Sequence, residues 1–572
     1  MEKITKLKRL FYYYNLDGYL IPKNDEFFGE YVPKNKDRLK FISNFSGSFG
    51  LALVLKNKNY LFVDGRYTLQ AKNQSGKLFK VITFPNLFPS DIFKNKKFKI
   101  GYDPKLFTRK TIETFFAKTN CKLIPLKQNL VDKLLNVNDQ DQAEKFYVLP
   151  KSASGHSYKS KIKRLINQLN KKKIDFQFIS ASENIAWLLN IRGKDSEFTP
   201  LPNSYMTVYA DGKINLFCDL KKIDNNFKRK FRDIDFKDIK YTDQFLSRIN
   251  NKKVLIDSLS CSVYFEDILK KKNQIIEFLD PLYSLKSIKT QLEIKNIIKS
   301  HIQDGAALSK FLFWVKKNYN KKKIDEISAQ EKLLNFRKEN KDFQFLSFPT
   351  ISGSGPNGAI IHYKASKKTN RKLKKGDIYL IDSGGQYNFG TTDVTRTISL
   401  DNNNKRIKDI FTRVLKSHIA VASFKINNKT NGALIDAIAR KPLKKVNLDY
   451  SHGTGHGVGY FLGVHEGPHA ISKNNKIYLR EGMIISNEPG YYENGKFGIR
   501  IENLVRVKKN KKGYSFDNLT KAPIDKSLIN KKILKKDEIN WLNNYHQNVY
   551  ENLKKFMNKS ELSDLKQACS KI

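Results

Sequence analysis

Four acids in this chain stand where apolar strand patterns place them, and that restricts its fold more than any other feature. In "DIYLIDSGGQYNFGTTDVTRTISL", Asp382 ends an apolar strand, Gly384 and Gly385 make a turn region, and Asp393 follows on a returning strand. In "EGMIISNEPGYYENGKFGIRIENLVRV", Glu488 ends a strand, Pro489 and Gly490 start a loop, and Glu502 sits on the next strand. Acids among apolar neighbours are costly unless they are paired, protonated or bound to metal. The fold must therefore bring compensating charge to two hairpins, each carrying an acidic pair.

Between those hairpins lies "SHGTGHGVGYFLGVHEGPH", residues 451–469, which holds four of the nine histidines of the chain on a glycine-rich backbone. Asp382, Asp393, His456, Glu488 and Glu502 together supply four carboxylates and one imidazole. That hard, oxygen-rich set is large enough for two divalent ions and suits Mn²⁺, Co²⁺ or Fe²⁺ better than thiolate-bound zinc. The glycines let the backbone approach a crowded site. Gly353, Gly355 and Gly358 spell G-x-G-x-x-G, but Pro356 interrupts it and "AIIHY" afterwards reads as a strand, so it fails the context of a dinucleotide site.

At 572 residues the chain exceeds what one hydrophobic core usually supports. An apolar content of 40% with 12% aromatics marks a folded, soluble protein. The net charge of +50 comes from lysine spread evenly along the chain, without an arginine-rich patch, zinc finger or aromatic-basic module. It reads as a lysine coat and not as a specific nucleic-acid site. The four cysteines, Cys121, Cys218, Cys261 and Cys569, match no metal or redox spacing and suit free thiols in a reducing cytosol. The basic start "MEKITKLKRLFYYYNLDGYLI" has an apolar run broken by Asn15 and Asp17, which does not read as a signal peptide, and no apolar run is long enough for a membrane span.

Helix and strand signals alternate over residues 1–130, and "NLVDKLLNVNDQDQAEKFY" leads to a polar stretch around 150–160 that reads as a linker. Residues 158–280 repeat the style, which suggests an internal duplication without a clean sequence repeat. "SLKSIKTQLEIKNIIKSHIQDGAALSKFLFWVKK", 284–317, reads as one long amphipathic helix opening a third domain. Beyond 510, a lysine-rich loop leads to the helix "DEINWLNNYHQNVYENLKKFM", which reads as a packing appendage.

These motifs make the chain similar to the pita-bread metallopeptidases, and within them to the three-domain Xaa-Pro aminopeptidases. "GEYVPKNKDRLKFISNFSGSFGLALV", "VDGRYTLQA", "ASENIAWLLNIRG" and "IKTQLEIKNI" resemble the family's successive domains, and "LKKDEINWLNNYHQNVYENL" its C-terminal extension. The resemblance implies an α/β (α+β) chain in four parts. Residues 1–145 and 146–283 are creatinase-like α/β domains, 284–510 a pita-bread catalytic domain, and 511–572 a C-terminal helical extension. It implies that Asp393 and Glu502 bridge two divalent ions, with Mn²⁺ the first choice and Co²⁺, Fe²⁺ or Zn²⁺ the others. Asp382 and the His456–Glu488 pair serve one ion each. His362 and His465 flank the substrate, His452 lines its pocket, and Arg500 supports the site. Glu488 shuttles a proton. His469, like His156, His301, His418 and His546, matches no such role and reads as a surface or loop histidine.

The expected activity is hydrolysis of the bond between the first residue and a proline in second position, in the cytoplasm, by a homodimer, with no specific nucleic-acid or membrane partner. The rivals are a prolidase acting on Xaa-Pro dipeptides and a catalytically inactive pita-bread binding protein. Methionine aminopeptidase is disfavoured by the two preceding domains, and creatinase by the intact ligand set.

Overall fold

The computed structural model describes residues 2–93, 95–135, 144–511 and 513–572. They divide into two compact units, Met1–Pro150 with His156–Leu282, and Lys151–Gly155 with Tyr283–Ile572. The stretch read as leading into a linker includes residues 136–143, which lie outside the described residues.

The first unit opens on α1 (Glu2–Tyr13), whose buried Ile4, Leu7 and Phe11 recur at helical spacing and form one apolar stripe. It covers a six-stranded sheet of β1 (Gly18–Pro22), β2 (Leu51–Leu55), β3 (Asn59–Asp64), β4 (Lys80–Phe84), β5 (Lys99–Tyr102) and β6 (Lys122–Pro125), in the order β4-β3-β2-β1-β5-β6. Tyr19 and Ile21 of β1 enter one core and Leu20 the other, because successive side chains of a strand point to opposite faces. Burial on both faces makes these strands read as continuous apolar runs.

After α2 (Tyr158–Lys171) comes a second six-stranded sheet: β7 (Phe176–Ile179), β8 (Ser204–Tyr209), β9 (Ile214–Cys218), β10 (Asp235–Asp238), β11 (Lys253–Asp257) and β12 (Gln274–Phe278). Its order, β10-β9-β8-β7-β11-β12, is that of the first sheet. The two sheets also share their pattern of parallel and antiparallel pairs. The duplication suggested by the texture of the chain is thus a duplication of topology.

The region read as one helix over 284–317 is two, α3 (Pro281–Ser287) and α4 (Gln291–Asn318). Thr290 caps α4: its hydroxyl accepts from Glu293 N, and the Glu293 carboxylate accepts from Thr290 N at 2.8 Å. Lys289, just before the cap, is buried with its ammonium on Glu466. Periodicity continues through both helices, so it does not reveal the break.

Next come α5 (Glu326–Lys338), β13 (Phe343–Leu346), β14 (Ile351–Ser354) and β15 (Ile378–Ser383), followed by β16 (Gly385–Tyr387), β17 (Gly390–Thr391) and β18 (Val394–Ser399). β15 lies between β14 and β18 and pairs antiparallel with both. Gly384 and Gly385 do not form the expected turn, because Gly385 begins β16. A Cβ on Gly384 would lie 1.9 Å from Thr392 O, so the glycine is there for close approach. The segment "AIIHY" is not a strand either; Gly355–Ala359 is a short 3₁₀ turn, and no strand covers 360–363.

The last sheet collects β19 (Lys425–Ile426), β20 (Gly455–Gly457), β21 (Glu466–Ile471) and β22 (Ile484–Asn487), then β25 (Asn503–Asn510) and β26 (Gly513–Asn518). Their order is β19-β26-β25-β22-β20-β21. A ribbon, β23 (Gly490–Glu493) with β24 (Phe497–Arg500), is inserted between β22 and β25. Residues 513–518, expected in a lysine-rich loop, form β26 instead. Helices α6 (Lys405–Ala422) and α7 (Gly432–Lys444) pack beside these strands.

The C-terminal helix α8 (Lys536–Leu553) is more than an appendage. Its Leu542, Tyr545, Val549 and Leu553 share a core with Phe411 and Leu415 of α6. The Tyr545 hydroxyl accepts from Arg396 Nη2 at 2.8 Å and donates to Ala522 O. Arg396, fully buried on β18, also binds Glu502 O and the Asn503 side chain. Tyr545→Phe removes a buried partner of that guanidinium and should cost about 1–3 kcal/mol, read as a lower Tm. An unchanged Tm would show that Arg396 does not depend on α8.

Candidate metal centre

The two strand pairs deliver their acids as the pattern of the sequence implies, shifted by a residue. Asp382 is the fifth residue of β15 and pairs across to Thr395 of β18, while Asp393 stands just before β18. Glu488 follows the last residue of β22, and Glu502 precedes the first residue of β25; their neighbours Asn487 and Asn503 are directly paired. His456 is the middle residue of β20, which pairs with β22 at Gly457 and Ile485. A Cβ on Gly455 would lie 1.9 Å from Ser486 O, so only glycine lets β20 come this close.

These residues converge. Asp393, His456 and Glu502 each offer a ligand atom within 4.8 Å of the others. His456 Nε2 lies 3.4 Å from Asp393 Oδ2 and 3.6 Å from Glu488 Oε1. His456 Nδ1 meets Gly457 O at 2.9 Å, a contact that suits a proton on Nδ1 and leaves Nε2 turned to Asp393 and Glu488. Ser486 Oγ donates to Glu488 Oε1 at 3.2 Å and accepts from His456 N, tying two of the donors together.

Arg500 organises the other side. Its Nη2 reaches Asp382 Oδ2 at 2.5 Å, its Nε reaches Thr395 Oγ1 and its Nη1 reaches Tyr492 OH at 2.6 Å. Thr395 Oγ1 in turn donates to Glu502 Oε2 at 2.8 Å. Tyr492 OH meets His452 Nε2 at 2.9 Å, while His452 Nδ1 binds Gly453 O. A continuous chain therefore runs from His452 through Tyr492 and Arg500 to Asp382. The His465 ring stacks obliquely near His456, with 4.2 Å between centroids. His362 follows Ile361, whose carbonyl lies 3.5 Å from Arg500 Nη2.

Burial pushes the Asp382 carboxyl up to about 7, with Arg500 opposing and Asp393 adding to the rise. Glu502 is pushed well above its ordinary value by burial and by its acidic neighbours. His456 is raised to about 9: burial favours its neutral form, but the hydrogen bond to Asp393 and the charge of Glu488 outweigh it. His452 is lowered to about 4 by burial, which keeps it a neutral acceptor for Tyr492.

Four carboxylates face one guanidinium here, so the excess charge is negative. Asp382 Oδ1 is buried without a hydrogen-bond partner, at a point where a buried anionic oxygen needs a cation. The donor set, mainly carboxylate oxygen with one imidazole, fits hard divalent ions.

Thr395, Tyr492 and Ser486 were not among the residues singled out from sequence. Thr395 carried a weak signal, since it lies two residues after Asp393 and so on the same strand face. Four of the remaining five histidines depart from the surface-or-loop expectation. His469 is buried on β21 with Nε2 at 2.7 Å from Ile484 O. His301, His418 and His546 are buried in helices, and each hydrogen-bonds to backbone. His156 alone of this group is partly exposed; its Nε2 lies 3.2 Å from Arg164 Nη2.

With this geometry in place, comparison with known proteins is decisive. A model of metallopeptidase family M24 matches residues 295–509, and models of the creatinase/prolidase N-terminal domain match 3–134 and 138–293. A model of the C-terminal region of peptidase M24 matches 512–572. A probable Xaa-Pro aminopeptidase P of Laccaria bicolor is 38% identical, over 96% of this chain and 90% of its own. This chain belongs to the Xaa-Pro aminopeptidase group of the M24 metallopeptidases. Xaa-Pro aminopeptidase 1 of Dictyostelium discoideum is 36% identical over 96% of the chain and 93% of its own. The crystal structure of an X-prolyl aminopeptidase from Caenorhabditis elegans, described as a cytosolic enzyme with a di-nuclear active site, superposes with a TM-score of 0.94 at 31% identity. It covers 100% of this chain and 99% of that one. The fold class inferred from sequence, two creatinase-like domains, a pita-bread domain and a C-terminal extension, holds.

Two outcomes follow from this geometry. Thr395→Val breaks the link between Arg500 and Glu502, and calorimetric titration should give a metal affinity weaker by roughly 10- to 100-fold; unchanged affinity would remove Thr395 from the site. Asp382 has a higher pKa in the folded chain, about 7, than the ordinary value near 3.9. Its contribution to the metal-free fold is therefore complete below about pH 4 and lost as pH rises through about 7. The rise in Tm on saturation with Mn²⁺ should grow across that window, and a flat difference would contradict it.

Proposed function

We propose that this chain is a metal-dependent aminopeptidase that hydrolyses the bond between an N-terminal residue and a proline in second position. The observation that carries this reading is the convergence of Asp393, His456 and Glu502, flanked by Asp382 and Glu488, in a chain similar to Xaa-Pro aminopeptidases along nearly its whole length. Asp382, Asp393, His456, Glu488 and Glu502 would hold two divalent cations, with Mn²⁺ the favoured ion. Bound there, the cations supply Lewis acidity to a water nucleophile and to the scissile carbonyl.

The residues of the chain do the rest. Glu488, held by Ser486, accepts the proton of the attacking water. It passes that proton to the proline nitrogen, which carries no hydrogen before cleavage and must gain one as it leaves. His465 and His362 hydrogen-bond the substrate carbonyl as its oxygen gathers charge. His452, kept neutral by burial, holds Tyr492 and through it Arg500, so that Asp382 stays fixed. Arg500 restrains Asp382 and leaves its second oxygen for the metal side.

The assembly proposed is a homodimer in the cytoplasm; no helix among the described residues is long and apolar enough to cross a membrane. The division proposed is in four parts, cut at 145, 283 and 510; the family matches also fall in four successive spans, 3–134, 138–293, 295–509 and 512–572.

Metal-stripped chain reloaded with Mn²⁺ should release the first residue from Xaa-Pro-Pro, little from Xaa-Ala-Pro, and nothing without metal. Preference for the dipeptide Xaa-Pro would indicate a prolidase instead, and no turnover with any divalent ion would end the enzymatic reading. His465→Ala should lower kcat by about 10²- to 10³-fold while leaving the bound metal in place.

A further inference from the structure

We propose that Glu466, clamped from beneath by Lys289 and Lys286, is a positioning residue that holds His465 against the metal centre. The inference rests on the reading of His465 as a substrate-facing group. It adds a device that the metal-ligand and histidine assignments do not contain.

Glu466 is the first residue of β21, directly after His465. Its carboxylate is 1% exposed, and the Lys289 and Lys286 side chains are 0% exposed. Lys289 Nζ donates to Glu466 Oε1 at 2.5 Å, and Lys286 Nζ lies 3.7 Å from Oε2. Two ammonium groups thus face one carboxylate away from water. A buried ion pair is a poor route to stability, because apolar groups of the same volume serve as well or better. What the pair provides is a fixed position.

That position matters because of what comes before it. Residues 458–465 connect β20 to β21 as irregular backbone, with Phe461 at a φ of 47°. His465 is the last residue of this loop, directly before β21. The two ends of the loop meet at Glu466. Its backbone pairs with Gly457, next to His456, and its Oε2 lies 3.3 Å from where a Cβ of Gly459 would stand. Side chains alternate across a strand, so drawing Glu466 to the buried side turns His465 to the other, towards His456. The anchor is itself fixed. Lys289 N donates to Gly482 O, Gly482 takes a φ of +88° there, and a Cβ on it would lie 2.7 Å from Lys289 O.

This also accounts for the break between α3 and α4. A continuous helix through 288–290 would carry Lys289 on a helical turn, whereas the interruption lets its ammonium turn inward before Thr290 starts α4.

The test uses Lys289→Met and Glu466→Asp, the second keeping the charge and shortening its reach by one methylene. Each is made alone and in a His465→Ala background, with Lys289→Arg as the conservative rescue. The readouts are kcat and KM on Xaa-Pro-Pro, bound metal per chain, Tm, and hydrogen exchange of residues 458–465. Each single variant should lose kcat by about 10- to 100-fold, with KM little changed and bound metal equal to that of the unsubstituted chain. In the His465→Ala background neither should cause a further loss, and Lys289→Arg should recover most of the activity. Exchange in 458–465 should rise while the neighbouring strands keep their protection. Equal losses with and without His465, or full activity in both variants, would overturn the proposal. An unsubstituted chain that turns over nothing would end the aminopeptidase reading instead; the exchange of 458–465 still decides the clamp, and unchanged exchange there overturns it.

Discussion

Like charges packed a few ångströms apart, out of water, cannot all remain ionised without a counter-charge. Asp382, Asp393, Glu488 and Glu502 meet at the ends of two antiparallel strand pairs, and Arg500 is the guanidinium that bonds directly to one of them. In the metal-free chain burial first, and the acidic neighbours after it, push the Asp382 and Glu502 carboxyls upward towards their protonated forms. Divalent cations would take the place of those protons, with Asp382 Oδ1, which has no hydrogen-bond partner, left to meet them. The folding problem and the chemical capacity of this protein are the same electrostatic fact.

The scaffold is arranged to hold that concentration of charge in one geometry. β15 with β18 and β22 with β25 each bring an acidic pair to one end. Gly455 lets β20 slide in close enough for His456 to complete the set. Arg396 sits behind, binding Glu502 O, Asn503 and Tyr545, so the C-terminal helix supports the strand junction that carries Glu502. His418 does similar work from α6, with its ring on Asn487 O and its own carbonyl accepting from the Asn487 side chain. Ligand precision here comes from neutral or singly charged groups one layer out, as in metal sites generally.

Much of this was legible in the sequence, for a physical reason. An acid at the end of an apolar strand is expensive, and five donors in a consistent order share only a few explanations. The strand runs of the first unit were legible because burial on both faces leaves no polar alternation to blur them. What stayed hidden depends on partners distant along the chain. Periodicity could not show the break at 288–290, where Lys289 turns its ammonium to Glu466, 177 residues away along the chain. His301, His418, His469 and His546 looked like surface or loop histidines because residue type alone does not reveal the backbone group that meets each ring, a carbonyl for the first three and the Ile524 N–H for His546. Tyr492 and Thr395 are ordinary strand residues until Arg500 is placed between them. The glycines at 384 and 385 resembled a turn, whereas the requirement was close approach, of Gly384 to Thr392 O and of Gly385 to the Phe343 and Tyr387 rings.

The central claim, that this acid cluster exists to hold two cations, is tested most directly by anomalous diffraction from crystals of the chain loaded with Mn²⁺. The account predicts two peaks in the site, one reached by His456, Asp393 and Glu502, the other on the Asp382 side, with Asp382 Oδ1 among its contacts. A single peak remote from these residues, or none at saturating metal, would contradict it and leave the buried carboxylates to be explained by protons alone.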